Sequence, residues 1–336
     1  MPELGTGQNS ITVKFWGVRG SYPAPGAETV HYGGNTPCIE VSTAGHTIIL
    51  DAGTGIIPLG RDLLRRSIRS RQPVEATLLF SHMHHDHTQG FPFFVPAFVM
   101  STRLHIFGPH LVENGLEQVL AHNMIPPFFP VTLHDMSATK DISSLSESQC
   151  ILLCKDNPVP VLQSIGSHSA CIESDAVCIR VLKSYAHPGG VLIYRIEWRG
   201  WSVVYATDTE GYANTDRRLA SFAHGTDLLI HDAQYTEEHY LGLAPDGRST
   251  QGWGHSTAAM ACDVAQAAVV KRLALFHFDP GYSDRTVAHI EKEACQRFSA
   301  TLAAREGLEI TLDADAPMFQ PRPKSRPART SVASIQ

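Results

Sequence analysis

Residues 11–18 (Ile-Thr-Val-Lys-Phe-Trp-Gly-Val) alternate apolar and polar side chains with the period of a half-buried strand. They run into Arg19-Gly20-Ser21-Tyr22-Pro23-Ala24-Pro25-Gly26, a Gly/Pro loop that is a candidate wall for a site at the strand end. Residues 38–42 and 47–50 flank Ala44-Gly45-His46 as a hairpin. Asp51-Ala52-Gly53-Thr54-Gly55 then opens an amphipathic helix over residues 57–68, with Leu59, Leu63 and Leu64 on one face. Residues 74–80 have the β-branched and aromatic content of a buried strand. Residues 91–98 are apolar but broken by Pro92 and Pro96, so any helix there is short, and its aromatics serve as core or as a pocket wall.

Residues 104–109 read as a strand and turn and 111–122 as a helix. Residues 136–175 are Ser-rich, contain Pro158 and Pro160, and show no sustained period, which predicts an irregular insertion or lid. The pattern sharpens into strands at 177–182, 191–198 and 202–206, with Arg199-Gly200 as the turn between the last two. Further short strands are expected at 227–230 and 273–276, helices at 216–223, 257–270 and 283–304, and an edge strand at 308–312. Strands and helices alternate through both halves of the chain.

Composition narrows the class. Of 336 residues, 43% are hydrophobic and 18% charged, as in a globular protein with a substantial core. No stretch approaches the roughly 18 apolar residues that span a membrane, and the first residues lack the basic and apolar parts of a signal peptide, so a cytoplasmic protein is expected. The seven cysteines are scattered and odd in number, which suits reduced thiols. Cys150, Cys154, Cys171 and Cys178 lie near His168 and could form a small metal site, although no Cys-x-x-Cys knuckle is present. The basic residues of the tail 321–336, for which disorder is expected, contribute +4 to a net charge of −6, so the body carries −10. An acidic body disfavours salt-dependent binding to a polyanion and leaves room for a small anionic substrate held by metal ions.

The chemistry is densest in Ser81-His82-Met83-His84-His85-Asp86-His87, directly after the 74–80 strand. Imidazole and carboxylate are the donors that zinc and similar ions prefer, and a loop leaving a rigid strand can turn several of them to one point. Three more positions share that setting: His187 in Ala186-His187-Pro188-Gly189-Gly190, Asp208 in Ala206-Thr207-Asp208-Thr209-Glu210, and His277 in Phe276-His277-Phe278-Asp279-Pro280. A lone His or Asp in a turn is usually a cap or a surface residue, and it is their joint occurrence that signals a site. His255, in Gly254-His255-Ser256-Thr257, precedes a helix that Ser256 or Thr257 can cap. Asp232, in His231-Asp232-Ala233-Gln234-Tyr235, follows a strand.

These motifs resemble the metallo-β-lactamase superfamily, and within it the phosphodiesterase branch that includes ribonuclease Z and cyclic-nucleotide phosphodiesterases. The likeness spans about residues 11–313 as one hydrolase domain. It implies a four-layer αββα sandwich with a dinuclear metal centre at one edge. It further implies that His82, His84 and His187 hold one ion, that Asp86, His87 and His277 hold the other, and that Asp208 bridges them, with Asp51 hydrogen-bonded to ligand histidines. Zinc is the expected ion, with manganese and iron as alternatives. His85 lies outside the family's ligand pattern.

Two divalent ions roughly 3.5 to 4 Å apart can clamp a phosphate and lower the pKa of a shared water toward about 7, so the implied reaction is attack of metal-bound hydroxide on phosphorus. Catalytic roles fall to Asp86, which is also a ligand, and to His255 and Asp232. His255, oriented by Asp232, would stabilise charge or protonate the leaving oxygen. The family often places Glu where Asp232 stands, and the shorter side chain must still reach His255. Members that process transfer RNA carry a Gly-rich, basic arm, which residues 136–175 do not resemble. A small phosphodiester such as a cyclic nucleotide is therefore expected. The alternatives are a ribonuclease Z-like endonuclease on transfer RNA precursors and a metal-centred sensor without turnover. The resemblance also allows a homodimer, and no membrane association is expected.

Overall fold

The computed structural model describes residues 9–110, 115–155, 157–165, 175–211, 215–245 and 247–314. The tail 321–336 lies outside these residues, as do His168 and Cys171 of the suggested cysteine site.

The first sheet is built from β1 (Ile11–Gly17), β2 (Cys38–Thr43), β3 (His46–Leu50), β4 (Glu75–Leu79), β5 (Arg103–Pro109) and β6 (Thr139–Leu145). The second contains β7 (Gln149–Cys154), β8 (Asn157–Ser164), β9 (Val177–Ser184), β10 (Val191–Trp198), β11 (Trp201–Ala206), β12 (Leu228–Asp232), β13 (Leu273–Phe276) and β14 (Thr301–Ala303). The chain then returns to the first sheet as β15 (Glu309–Leu312). The strand orders are β15-β1-β2-β3-β4-β5-β6 and β14-β13-β12-β11-β10-β9-β7-β8. Both sheets are mixed: β3 to β6 run parallel, as do β11 to β14, while the hairpins are antiparallel.

The two sheets pack face to face. The alternation read in β1 buries Ile11, Val13 and Phe15 in the inter-sheet core. The Phe15 ring lies 6.2 Å from Phe276 of the opposite sheet, and Phe276 lies 5.7 Å from Tyr205. Each such buried side chain contributes about 1.5–3 kcal/mol of hydrophobic stabilisation. Two polar ties also cross the interface: Tyr194 Oη donates to the Phe80 carbonyl at 2.7 Å, and the Leu192 amide donates to that of Ser81 at 2.8 Å.

Outside the first sheet, α1 (Ile56–Ser70) lays Ile56, Leu59 and Leu63 against a second apolar cluster that also takes in Phe91 and Phe94. The proline-broken segment 91–98 forms two short 3₁₀ turns, with Phe91 and Phe94 in this core and Phe93 and Phe98 exposed. The ligand motif itself forms a single turn, α2 (His85–Thr88), and α3 (Leu116–His122) packs on β5 and β6. The second sheet is covered by α4 (Arg217–Phe222), α6 (Ala258–Ala267) and α7 (Asp284–Arg297), while α5 (Glu237–Leu241) is a short turn between β12 and α6. The result is a four-layer αββα sandwich, as the resemblance implied.

Two expectations are corrected. Residues 139–164 are not irregular: they form β6, which closes one edge of the first sheet, and the β7–β8 hairpin, which closes one edge of the second. An edge strand tolerates proline because its N–H need not pair, and Pro160 falls at a bulge between the pairs Leu152–Val161 and Cys154–Asn157. The helix expected over 283–304 stops at Arg297, where extended Phe298 turns the chain into β14.

No described helix is long and apolar enough to cross a membrane.

Candidate metal centre

Strand ends at one edge of the sandwich converge on a single point. β3 is followed by Asp51, β4 by Ser81 and His82, β11 by Asp208 and β13 by His277, while Asp232 is the last residue of β12 and His187 comes from the β9–β10 turn. Asp51, Asp208 and His277 have φ of 60°, 49° and 64°. Such left-handed conformations cost a non-glycine residue on the order of 1 kcal/mol each and persist where surrounding structure over-determines them, as at functional sites. Gly20 and Gly254 are required by close approach: a Cβ at Gly20 would stand 2.5 Å from His277 Nδ1, and one at Gly254 would stand 2.3 Å from His187 Nδ1.

Two sets of donor atoms result, each within 4.8 Å of one another: His82, His84, His187 and Asp208, and Asp86, His87, His277 and Asp208. Asp208 is common to both. The expected ligands therefore lie together, in the grouping the resemblance implied. His85 is exposed and belongs to neither set. A third set, Asp208 with Asp232, His255 and His277, overlaps these. There the Asp232 carboxylate is already engaged by the amides of Ser256 (2.9 Å), Gln234 (3.1 Å) and Asp208 (3.1 Å) and by His255 Nδ1.

Hydrogen bonds fix which ring nitrogens face the centre. Ser81 Oγ donates to Asp51 Oδ2 at 2.7 Å, so its lone pair accepts from His82 Nδ1–H at 3.0 Å. This leaves His82 Nε2 as a buried lone pair with no hydrogen-bond partner. His87 Nδ1–H donates to Asp51 at 2.8 Å and His187 Nδ1–H to the Gly254 carbonyl at 3.1 Å. The nitrogens left over face one another, His84 Nδ1 against His187 Nε2 at 3.0 Å and His87 Nε2 against His277 Nε2 at 3.2 Å. Converging lone pairs beside the carboxylates of Asp86 and Asp208 are what a divalent cation satisfies, so the donor set fits two ions.

Charge distribution agrees. Burial and neighbouring imidazoles push His82 well down, and burial pushes His84 and His187 down, against the pull of Asp208. Burial opposes charge on His87 too, but Asp208, Asp86 and Asp51 together raise it well above its ordinary value. Burial pushes Asp86 and Asp208 up, yet His87 and His277 hold both well below the carboxylate range. Binding of divalent ions at these nitrogens would displace any proton held there.

Asp232 reaches His255 although it is one methylene shorter than Glu: His255 Nδ1–H donates to Asp232 Oδ2 at 2.7 Å. Burial disfavours charge on His255, but Asp232 raises its pKa to about 9. The ring stacks on His277 with centroids 5.1 Å apart and meets His187 edge-on at 5.0 Å. Thr257, not Ser256, caps α6, while Ser256 Oγ donates to the Thr209 carbonyl and its amide holds Asp232.

Several contributors gave little signal in sequence. Tyr205 Oη donates to Asp51 at 2.7 Å. Only its inward place in the period-two pattern of β11, and the need of a buried hydroxyl for a partner, point to it. The Ser21 amide donates to Asp86 Oδ2 at 2.7 Å, so the 19–26 loop does form a wall of the site. Buried Arg19 anchors that loop through the carbonyls of Gly33 and Tyr282. Glu210, also buried, accepts from the amides of Gly252 (2.8 Å) and Gly254 (2.9 Å) and thereby fixes the loop that carries His255.

Comparison with known proteins agrees with this geometry. Residues 46–278 match the beta-lactamase superfamily domain. A ribonuclease Z of Thermococcus kodakarensis is 26% identical over 277 residues, covering 74% of this chain and 81% of its own. A metallo-beta-lactamase fold protein of Bacillus subtilis superposes with a TM-score of 0.60 at 18% identity, over 90% of this chain and 99% of that one. Human tRNase Z, short form, does so with a TM-score of 0.56 at 18% identity, over 89% and 98%. The match over most of the chain places it in the beta-lactamase superfamily, as one of its metal-dependent hydrolases.

Proposed function

We propose that this hydrolase is a phosphodiesterase acting on a small phosphodiester such as a cyclic nucleotide, with His82, His84 and His187 holding one divalent ion, Asp86, His87 and His277 the other, and Asp208 shared. The observation that carries the reading is the His255–Asp232 pair at 2.7 Å, set against the edge of the two donor sets. When bound, the ions supply an acidified water and neutralise the phosphoryl oxygens. Zinc suits donor sets dominated by imidazole.

The chain's own residues do the rest. Asp51, through Ser81 and His87, fixes imidazole tautomers, and Asp232 orients His255 while its Oδ2 accepts from the Asp208 amide. In the metal-free chain Asp232 raises His255 to about 9, and a proton held on this ring would be placed for delivery to the leaving oxygen. His255→Ala should reduce turnover by about 10²–10⁴-fold, with metal content staying near two per chain. Loss of metal would make His255 a ligand and not an acid.

A small substrate is supported by what residues 139–165 lack. Their cations are Lys140 and Lys155, and Lys140 Nζ is engaged by the carbonyls of Met136 and Ala138. Such a segment offers little grip on a polyanion. The relatives named ribonuclease Z favour a second reading, an endonuclease on transfer RNA precursors. Hydrolysis of bis(p-nitrophenyl) phosphate, compared with cleavage of a precursor transfer RNA by the same metal-loaded chain, separates the two. Turnover of neither would leave a metal-binding sensor and refute both. Buried thiols at Cys38 and Cys262, raised by desolvation, suit the cytoplasm proposed for the chain.

A further inference from the structure

Beside the donor sets lies a groove that the metal chemistry does not use. It is a cavity of about 420 Å³ bounded by Tyr185, Pro188 and Gly189 of the β9–β10 turn and by Gly252 and Gly254 of the loop before α6. His187 of the first donor set is part of its wall. Trp253 sits between Gly252 and Gly254 and is 43% exposed, while Tyr185 is 72% exposed. Trp253 joins the centre through a line of edge-to-face rings, with Tyr235 6.5 Å from Trp253 and 5.9 Å from His255.

Each exposed ring carries a cation: Lys183 Nζ lies 5.2 Å from the Tyr185 centroid and the Arg248 guanidinium 5.0 Å from that of Trp253. The Trp253 backbone is held firmly, because Glu210 takes the amides on either side of it and the Trp253 amide donates to the Thr250 carbonyl at 3.2 Å. Exposed aromatics next to cations, one of them on firmly held backbone, beside a candidate metal centre are the ingredients of base stacking.

We propose that the groove, with Tyr185 in its wall and Trp253 between its wall residues Gly252 and Gly254, is a nucleobase subsite, which stacks the base of the nucleotide whose phosphate lies at the candidate metal centre. The proposal rests on the phosphodiesterase reading and narrows its substrate to nucleotides. The base could belong to a free cyclic nucleotide or to the terminal nucleotide of an RNA, since the stacking chemistry is the same.

The test is calorimetric titration of the metal-bearing full chain with adenosine 5′-monophosphate and with ribose 5-phosphate, which share the phosphate and sugar and differ in the base. The adenosine nucleotide should bind at least about tenfold more tightly, as expected for one stacked base. Tyr185→Ala and Trp253→Ala should each remove about tenfold of its affinity and leave ribose 5-phosphate within twofold. Tyr185→Phe and Trp253→Phe should retain most of the preference, which guards against a folding defect in the alanine variants. Equal affinity of the two ligands, or parallel loss of both in the variants, overturns the subsite. Competition of bound nucleotide by cyclic adenosine monophosphate or by a precursor transfer RNA identifies the source of the base. Failure of the phosphodiesterase reading shows separately, as no turnover of methyl p-nitrophenyl phosphate, which carries no base.

Discussion

Asp51 is the residue whose removal should reveal how far the candidate metal centre depends on groups outside its two donor sets. Its side chain is fully buried and accepts from the Ser81 amide (2.7 Å), Ser81 Oγ (2.7 Å), His87 Nδ1 (2.8 Å) and Tyr205 Oη (2.7 Å). Asp51→Ala orphans four donors at once. Each buried orphan costs about 1–3 kcal/mol, but entry of water and local relaxation reduce the sum, and the broken buried network should cost about 3–5 kcal/mol of stability. The same change frees the tautomers of His87 and, through Ser81, of His82, so metal affinity should fall about 10–100-fold, which corresponds to about 1.4–2.7 kcal/mol. Tyr205→Phe is the graded control. It removes one donor and leaves three, at a cost of about 1.5 kcal/mol, the lower end for a hydrogen bond to a charged group. Metal affinity in that variant should stay within about threefold of the parent. Denaturant unfolding of the metal-free protein gives the first quantity and competition with a chromophoric chelator the second. Wild-type metal affinity in Asp51→Ala, or an equal loss in Tyr205→Phe, would show that the Asp51 carboxylate does not hold the donor histidines in place.

Other outcomes follow from the same geometry. In the metal-free protein the His255 imidazole should titrate near pH 9 by NMR, above the unfolded value of about 6.5, and Asp232→Asn should bring the midpoint down to or below that value. Because the folded pKa is the higher one, the stability gained from the His255–Asp232 pair is complete below about pH 6.5 and is lost as pH rises through about 9. A parent midpoint below 6.5 would contradict this. Gly254→Ala places a Cβ 2.3 Å from His187 Nδ1, so in competition with a chelator it should weaken one of two metal sites and spare the other; equal weakening of both would contradict the grouping of donors. Phe15→Ala empties the inter-sheet core and should cost about 3–5 kcal/mol in urea unfolding, whereas less than about 1 kcal/mol would mean that the sheets do not depend on that contact.

The alternation in residues 11–17 and the apolar runs at β4, β10, β11 and β13 made the sheets readable, because strands buried on one or both faces leave a period-two or continuous apolar trace. β6 and β8 left no such trace. Both are edge strands that keep one side open, so serine in β6 and proline in β8 carry little penalty and blur the pattern. β14, only three residues long, was hidden behind an apolar helix pattern that runs straight into it. The donor residues of the candidate metal centre were legible because metal chemistry asks for His and Asp at strand ends, whatever surrounds them. Ser81, Tyr205 and Glu210 were not, because a serine, a tyrosine or a glutamate acquires its role only through partners distant in sequence: Tyr205 stands 154 residues from Asp51, and Glu210 stands 44 from Gly254. The shorter Asp232 left its reach in question, and the backbone answers it by bringing the end of β12 beside the loop that carries His255.

A phosphodiester hydrolase that needs two ions sharing Asp208 is checked by adding zinc in known equivalents to the metal-free full chain while following hydrolysis of bis(p-nitrophenyl) phosphate. Activity that rises until two equivalents are bound and then levels off is the predicted result. Full activity at one equivalent, or none at any, would rule out phosphodiester hydrolysis at a two-ion centre.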